Sequence, residues 1–201
     1  AVMKYPFPKM SIFLISIFSL LFLLDFFFLD KFLFQWGTLN AEALFLNNQW
    51  WRVLTSSFFH VGFIHIIANS ITLFYAGVLI ESKIGSVWFL LVFLISNLVE
   101  RIIFAFLFTP VSSIGSSPGI YGIIGVILVY SLRNSNFFLN YKKTQEMRWL
   151  ISYFIIGNLL GWDTFFVHII GFIIGILLGV ILLTTYNTTS NNKLKTPPSN
   201  L

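Results

Sequence analysis

The 201-residue chain is 57% hydrophobic and 9% charged, with a mean hydropathy of +0.88, whereas an average soluble domain is roughly 25% charged. That composition excludes an ordinary soluble domain and implies a polytopic membrane protein. The absence of cysteine removes disulfides, thiol nucleophiles and thiolate metal sites, and the net charge of +5 is read as a topology signal instead of a nucleic-acid footprint.

Lys4 and Lys9 precede an apolar run from Ser11 to Leu24 that continues through Asp25 into Phe26, Phe27, Phe28 and Leu29. A signal peptide also has a basic flank and an apolar run. This one is long enough to span and ends in bulky Phe and charged Asp30-Lys31 without a small-residue cleavage site, so it is expected to be the first transmembrane helix. Asp25 reads as a boundary carboxylate reaching the interface. Between Lys31 and Phe59 nothing is apolar enough to cross, yet Phe32, Trp36, Phe45, Trp50 and Trp51 alternate with polar residues. Such mixed aromatic sequence suits a structured loop at headgroup level.

Five further apolar segments come after it, at about 61–80, 87–108, 117–132, 149–160 and 165–185. The predicted architecture is therefore all-α, with six transmembrane helices in one membrane domain (1–186) and a polar tail (187–201) expected to be disordered. With both termini cytoplasmic, the inside holds Lys4, Lys9, Lys83, Arg133, Lys142, Lys143, Arg148, Lys193 and Lys195, and the outside only Lys31 and Arg52. That asymmetry obeys the positive-inside rule and requires the short fifth span to be kept. Arg101 falls within the third.

In this topology the second, fourth and sixth helices all run from outside to inside. His65 and Asn69 then lie in the first turns of the second helix, Ser117 opens the fourth, and His168 lies in the first turn of the sixth. Ionisable and polar side chains inside a bilayer are costly and point to function. Here four share one depth. His65 and Asn69 are one above the other at i and i+4, as are Ser117 and Tyr121. Gly171, Gly175 and Gly179 repeat at every fourth position, and Gly119, Gly122 and Gly125 stud the fourth helix, so two backbones are expected to approach closely.

A serine hydroxyl becomes a nucleophile when an imidazole takes its proton, and the resulting oxyanion needs preorganised donors. Ser117 is the expected nucleophile and His168 its base, with the Ser117 N–H, the Asn69 amide and the His65 ring as donors and Tyr121 packed on the imidazole. Asp163 stands five residues before His168 and points off its face, so a dyad without a third member is expected.

These residues resemble the rhomboid intramembrane serine proteases. Gly115-Ser116-Ser117 with Tyr121-Gly122 is similar to that family's G-x-S-G motif, His65-Ile66-Ile67-Ala68-Asn69 to its H-x-x-x-N, and His168 with Gly171 and Gly175 to its last-helix H-x-x-G-x-x-x-G. Ser116 is the fallback nucleophile, but it breaks the offset to Tyr121 and Gly122. Trp51-Arg52 resembles the family's W-R segment, and Glu81 to Gly85 the E-x-x-x-G after the second helix. The resemblance covers about 50–179. It implies a six-helix fold, no cofactor, and cleavage of transmembrane substrates near the outer surface. It implies structural roles for Trp51 and Arg52 in the interfacial loop and for Glu81 at the inner end of the second helix.

The expected substrates carry Gly, Pro or other helix-weakening residues, because a helix hides its carbonyls in internal hydrogen bonds. The expected location is a bacterial cytoplasmic membrane. The sequence departs from the family at Pro118, where a glycine is usual. Proline is tolerated in a first helical turn. Two other readings compete: a non-catalytic rhomboid-like protein that binds transmembrane clients, and a transporter or metal site using His60, His65 and His168. A zinc site would leave Asn69 and Ser117 without a role, and no metal is expected.

Overall fold

The computed structural model describes residues 6–107 and 112–193, with side chains to 184. Among these residues every regular element is helical: α1 (Lys9–Phe28), α2 (Phe32–Gly37), α3 (Ala41–Phe45), α4 (Arg52–Thr55), α5 (Phe63–Ile84), α6 (Ser86–Leu107), α7 (Ser117–Arg133), α8 (Ser135–Tyr141), α9 (Gln145–Gly157) and α10 (Trp162–Lys193). Four of them, α1, α5, α6 and α10, are long and apolar enough to cross a bilayer, and a fifth span results if α7 and α8, bent by 115°, are counted together. With 13 residues, α9 reaches only about 20 Å at 1.5 Å per residue.

The packing matches the sequence pattern. Along α1 the buried residues are Ser11, Leu14, Phe18, Phe22 and Asp25, a stripe at helical spacing on an otherwise apolar rod. On α10, Ile173, Leu177 and Ile181 are exposed in a stripe that suits lipid. Its glycines face α7, where Gly171 meets the Pro118 backbone, Gly175 the Gly122 backbone, and Gly179 Val126 and Val129. By contrast α7 is buried on nearly every side. The central helix therefore needs no continuous lipid-facing length.

Polar groups tie the helix ends. Pro8 precedes α1 and offers no side-chain cap. The Glu81 carboxylate of α5 serves instead: it accepts from the Met10 N–H (2.8 Å), the Ser11 N–H (3.2 Å) and hydroxyl (3.0 Å), and the Ser86 hydroxyl at the start of α6 (2.6 Å). A carboxylate at two helix N-termini also complements their dipoles. Asp25, expected at a boundary, is buried and caps α2, accepting from the Leu33 and Phe34 N–H groups at 2.7 and 2.9 Å.

Between α1 and α5, Arg52 donates to Gln49 Oε1 (2.6 Å), Gln35 O (2.7 Å) and Thr38 O (2.6 Å), and Trp51 stacks on Trp36 at 5.9 Å. An antiparallel bridge from Leu39 to Ser113 joins this layer to the strand-like lead into α7. The polar connection 133–148 contains α8, where Phe137 buries its ring between Tyr130 and Tyr141. One stretch differs from expectation. The helix α10 continues into the polar tail as far as Lys193, with no Gly or Pro to stop it after Gly179; the rest of the tail expected to be disordered lies outside the described residues.

Candidate active site

The first turns of α5, α7 and α10 surround a cavity of about 770 Å³, lined by His65, Asn69, Ser117, Tyr153, Gly157, Asp163 and His168 among others. Ser117 is the first residue of α7 and Pro118 the second. A helix leaves its first N–H groups without internal partners, so the proline removes a donor that the helix would not have used.

Close backbone approach brings His168 over. A Cβ on Gly171 would lie 2.9 Å from the Pro118 Cα, so α10 rests directly on the start of α7. His168 is one turn before Gly171, in the second turn of α10 and not the first. Its ring lies parallel to that of Tyr121, centroids 4.0 Å apart and planes 10° apart. The Tyr121 hydroxyl is held by the Tyr153 and Phe154 carbonyls, both at 3.2 Å. The imidazole thus has a fixed floor.

Among the described residues no hydrogen bond joins Ser117 to His168, and the buried His168 Nδ1 stands against the Gly157 backbone. Ligand-free catalytic pairs often stand loose and tighten on substrate. Asp163 lines the same cavity and is exposed, with no hydrogen bond to His168 among the described residues.

His65 packs on Gly115. That glycine has φ +111°, where side chains are strained, and a Cβ there would fall 2.6 Å from the His65 Cε1. Only glycine leaves room for the ring. Asn69, one turn deeper, accepts from the Tyr153 hydroxyl at 2.5 Å through Oδ1, while its Nδ2 is buried and has no partner. An unsatisfied buried amide costs about 1–3 kcal/mol and invites an acceptor. It lines the cavity.

Residues 47–185 match the family model described as the rhomboid domain. The chain belongs to the rhomboid family. The matched stretch of this rhomboid contains all the candidate site residues, from Trp51 to Gly175. It is 34% identical over 100 residues to rhomboid protease GluP of Bacillus subtilis (strain 168), covering 50% of this chain and 20% of GluP. It is 33% identical over 84 residues to putative rhomboid protease YdcA of the same organism, covering 41% and 42%. Inactive RHOMBOID-like protein 8 of Arabidopsis thaliana is 30% identical over 141 residues, 68% of this chain and 39% of that one. The chain spans less than half the length of these curated relatives.

Three features of this rhomboid site go beyond the sequence reading, in which His60 is an interface or loop-stabilising residue and Tyr153 and Arg101 have no role. Tyr153 orients Asn69; the only signal was an aromatic residue on the short α9. His60 stands beside the fallback nucleophile, its Nε2 3.2 Å from the Ser116 Oγ, with both residues buried and neither lining the cavity. Burial, with the His65 ring beside it, pushes the His60 imidazole down to about 3, so it is neutral at pH 7. The third is the surroundings of Arg101. Among the described residues no group of three or more His, Asp or Glu side chains is placed to share a metal ion; His60 and His65 meet ring edge to ring face at 5.1 Å.

Proposed function

We propose that the chain is an intramembrane serine protease that cleaves transmembrane substrates near the outer membrane surface. One observation carries this reading: a single cavity is lined by Ser117, His168, His65 and Asn69, whose buried amide Nδ2 has no partner. Six spans with both termini inside agree with the lysine and arginine distribution, with α7 and the short α9 acting as full spans and α8 lying on the inner side. The bilayer is expected to be a bacterial cytoplasmic membrane. Residues 1–186 act as one membrane domain and need no cofactor.

The Ser117 Oγ attacks the scissile carbonyl carbon as its proton passes to His168. The oxyanion collects N–H donors from Ser117, Asn69 and His65. Collapse breaks the C–N bond, and His168 returns its proton to the leaving amine. Water from the outer side then hydrolyses the acyl-enzyme. Because a helical substrate hides its carbonyls, cleavage requires a segment that unwinds, such as one containing Gly or Pro.

Treating the purified protein with a fluorophosphonate and locating the adduct by mass spectrometry tests the assignment without knowledge of a natural substrate. The expected adduct is on Ser117. An adduct on Ser116, or cleavage of a reporter transmembrane substrate by protein that takes no label, would overturn it. A non-catalytic client-binding role, which similarity to an inactive relative keeps in view, corresponds to neither label nor cleavage.

Tyr153 gives a milder test of the oxyanion site. Tyr153→Phe removes one hydroxyl and releases the Asn69 amide to rotate. A missing oxyanion donor costs about 10²–10³ in kcat, and a misoriented one is expected to cost about tenfold. KM should hold, and an unchanged kcat would remove Asn69 from the oxyanion site.

A further inference from the structure

We infer that Arg101 is a positioning residue for the segment that carries the nucleophile, a role that rests on the protease reading above. Its side chain is fully buried in the apolar interior of α6. Burying a guanidinium costs several kcal/mol unless its donors are used, so where those donors go defines its role.

They converge on the lead into α7. Nη2 donates to the Gly115 carbonyl at 2.5 Å, and Nη1 donates to the Ser113 hydroxyl and to Glu100 Oε2, the latter at 2.9 Å. Nε donates to the Ser56 hydroxyl at 3.1 Å. Ser56 also reaches Gly115, because its carbonyl accepts the Gly115 N–H at 2.9 Å. Gly115 is therefore gripped at both ends of its own backbone while it holds the left-handed φ that makes room for His65.

The next residue along the chain is equally fixed. The Ser116 hydroxyl meets His60, and the Ser116 carbonyl accepts the Ile120 N–H at 3.2 Å. A trans peptide points its N–H opposite its carbonyl. The Ser117 N–H is thereby aimed out of the helix mouth, away from Ile120, which is the direction an oxyanion donor needs. The guanidinium itself does not line the cavity. It acts on the reacting groups only through Gly115 and Ser113, and Glu100 balances its charge.

The test separates aim from mere stability. Fluorophosphonate labelling gives an endpoint, which counts folded sites, and a rate constant per site, which reports how well Ser117 is presented. In Arg101→Gln the rate constant and kcat are expected to fall together, between about ten- and a hundredfold as for small misplacements of reacting groups. KM should change less than kcat, since Arg101 itself does not line the cavity and the aim of Ser117 is what it sets. Arg101→Lys keeps the charge but not the planar fork and should recover part of the rate. Ser113→Ala drops one of the acceptors, is expected to lower the same rate constant by about threefold, and decides the matter if Arg101→Gln does not fold. A lower endpoint with an unchanged rate constant per site, in Arg101→Gln or failing that in Ser113→Ala, would make Arg101 purely structural and leave the protease reading intact. Wild-type protein that takes no label removes both.

Discussion

Alanine at Ser117 is expected to abolish cleavage of a reporter transmembrane substrate in liposomes and to prevent fluorophosphonate labelling. The hydroxyl is the only atom deleted, and Ser117 lines the cavity together with His168, His65 and Asn69. Where serine and histidine act as a unit, losing either costs on the order of 10⁴-fold or more, and losing both costs no more than losing one. His168→Ala and the double variant should therefore match Ser117→Ala. Ser116→Ala is expected to keep activity within about tenfold of wild type, because that hydroxyl is spent on His60 and reaches the reaction only by holding the loop. Full activity in Ser117→Ala would overturn the nucleophile assignment.

The second large effect is expected at Gly175. A Cβ there would stand 2.5 Å from both the Cα and the carbonyl carbon of Gly122, and nearer still to its oxygen. Backbone cannot move aside as a side-chain tip does. Gly175→Ala must push α10 off α7, at about 1–3 kcal/mol or more for overpacking. Tyr121 and Gly122 are neighbours on α7, so the same displacement slides the His168 ring over its stacking partner. The expected result is a lower unfolding midpoint in detergent together with loss of cleavage. Gly179→Ala is the comparison: its nearest neighbour, the Val126 Cα, would be 3.2 Å away, and a small shift accommodates it. If both variants behave alike, close approach at Gly175 is not what holds the pair together.

Much of this arrangement is legible in the residues alone, for an identifiable reason. Helical spacing places His65 over Asn69 and Ser117 over Tyr121 whatever the helices pack against, and glycine at every fourth position marks which face of α10 comes close. What escapes the sequence depends on partners far along the chain. Arg101 takes its role from Ser113 and Gly115 at the mouth of another helix, held there together with Ser56, 45 positions away, so in sequence it reads only as an expensive charge in a span. Tyr153 sits on a helix too short for hydropathy to fix its rotation, and its meaning comes from Asn69, 84 positions earlier. Asp25 looks like a boundary residue until the chain turns back and presents the first N–H groups of α2 to it. Extended polar sequence likewise conceals α8, which is held by a single buried Phe137.

The carboxylate of Glu81 has a consequence for assembly. During synthesis α1 emerges before α5, yet its Met10 and Ser11 N–H groups are satisfied by a residue that is translated 70 positions later. Until then water at the headgroups must serve them. The Ser86 hydroxyl, five residues from Glu81, can claim the same carboxylate as soon as the α5–α6 hairpin forms. Helix α1 is thus finished only by docking onto a hairpin made after it, a contact that can form before the glycine-lined pair of α7 and α10 is made.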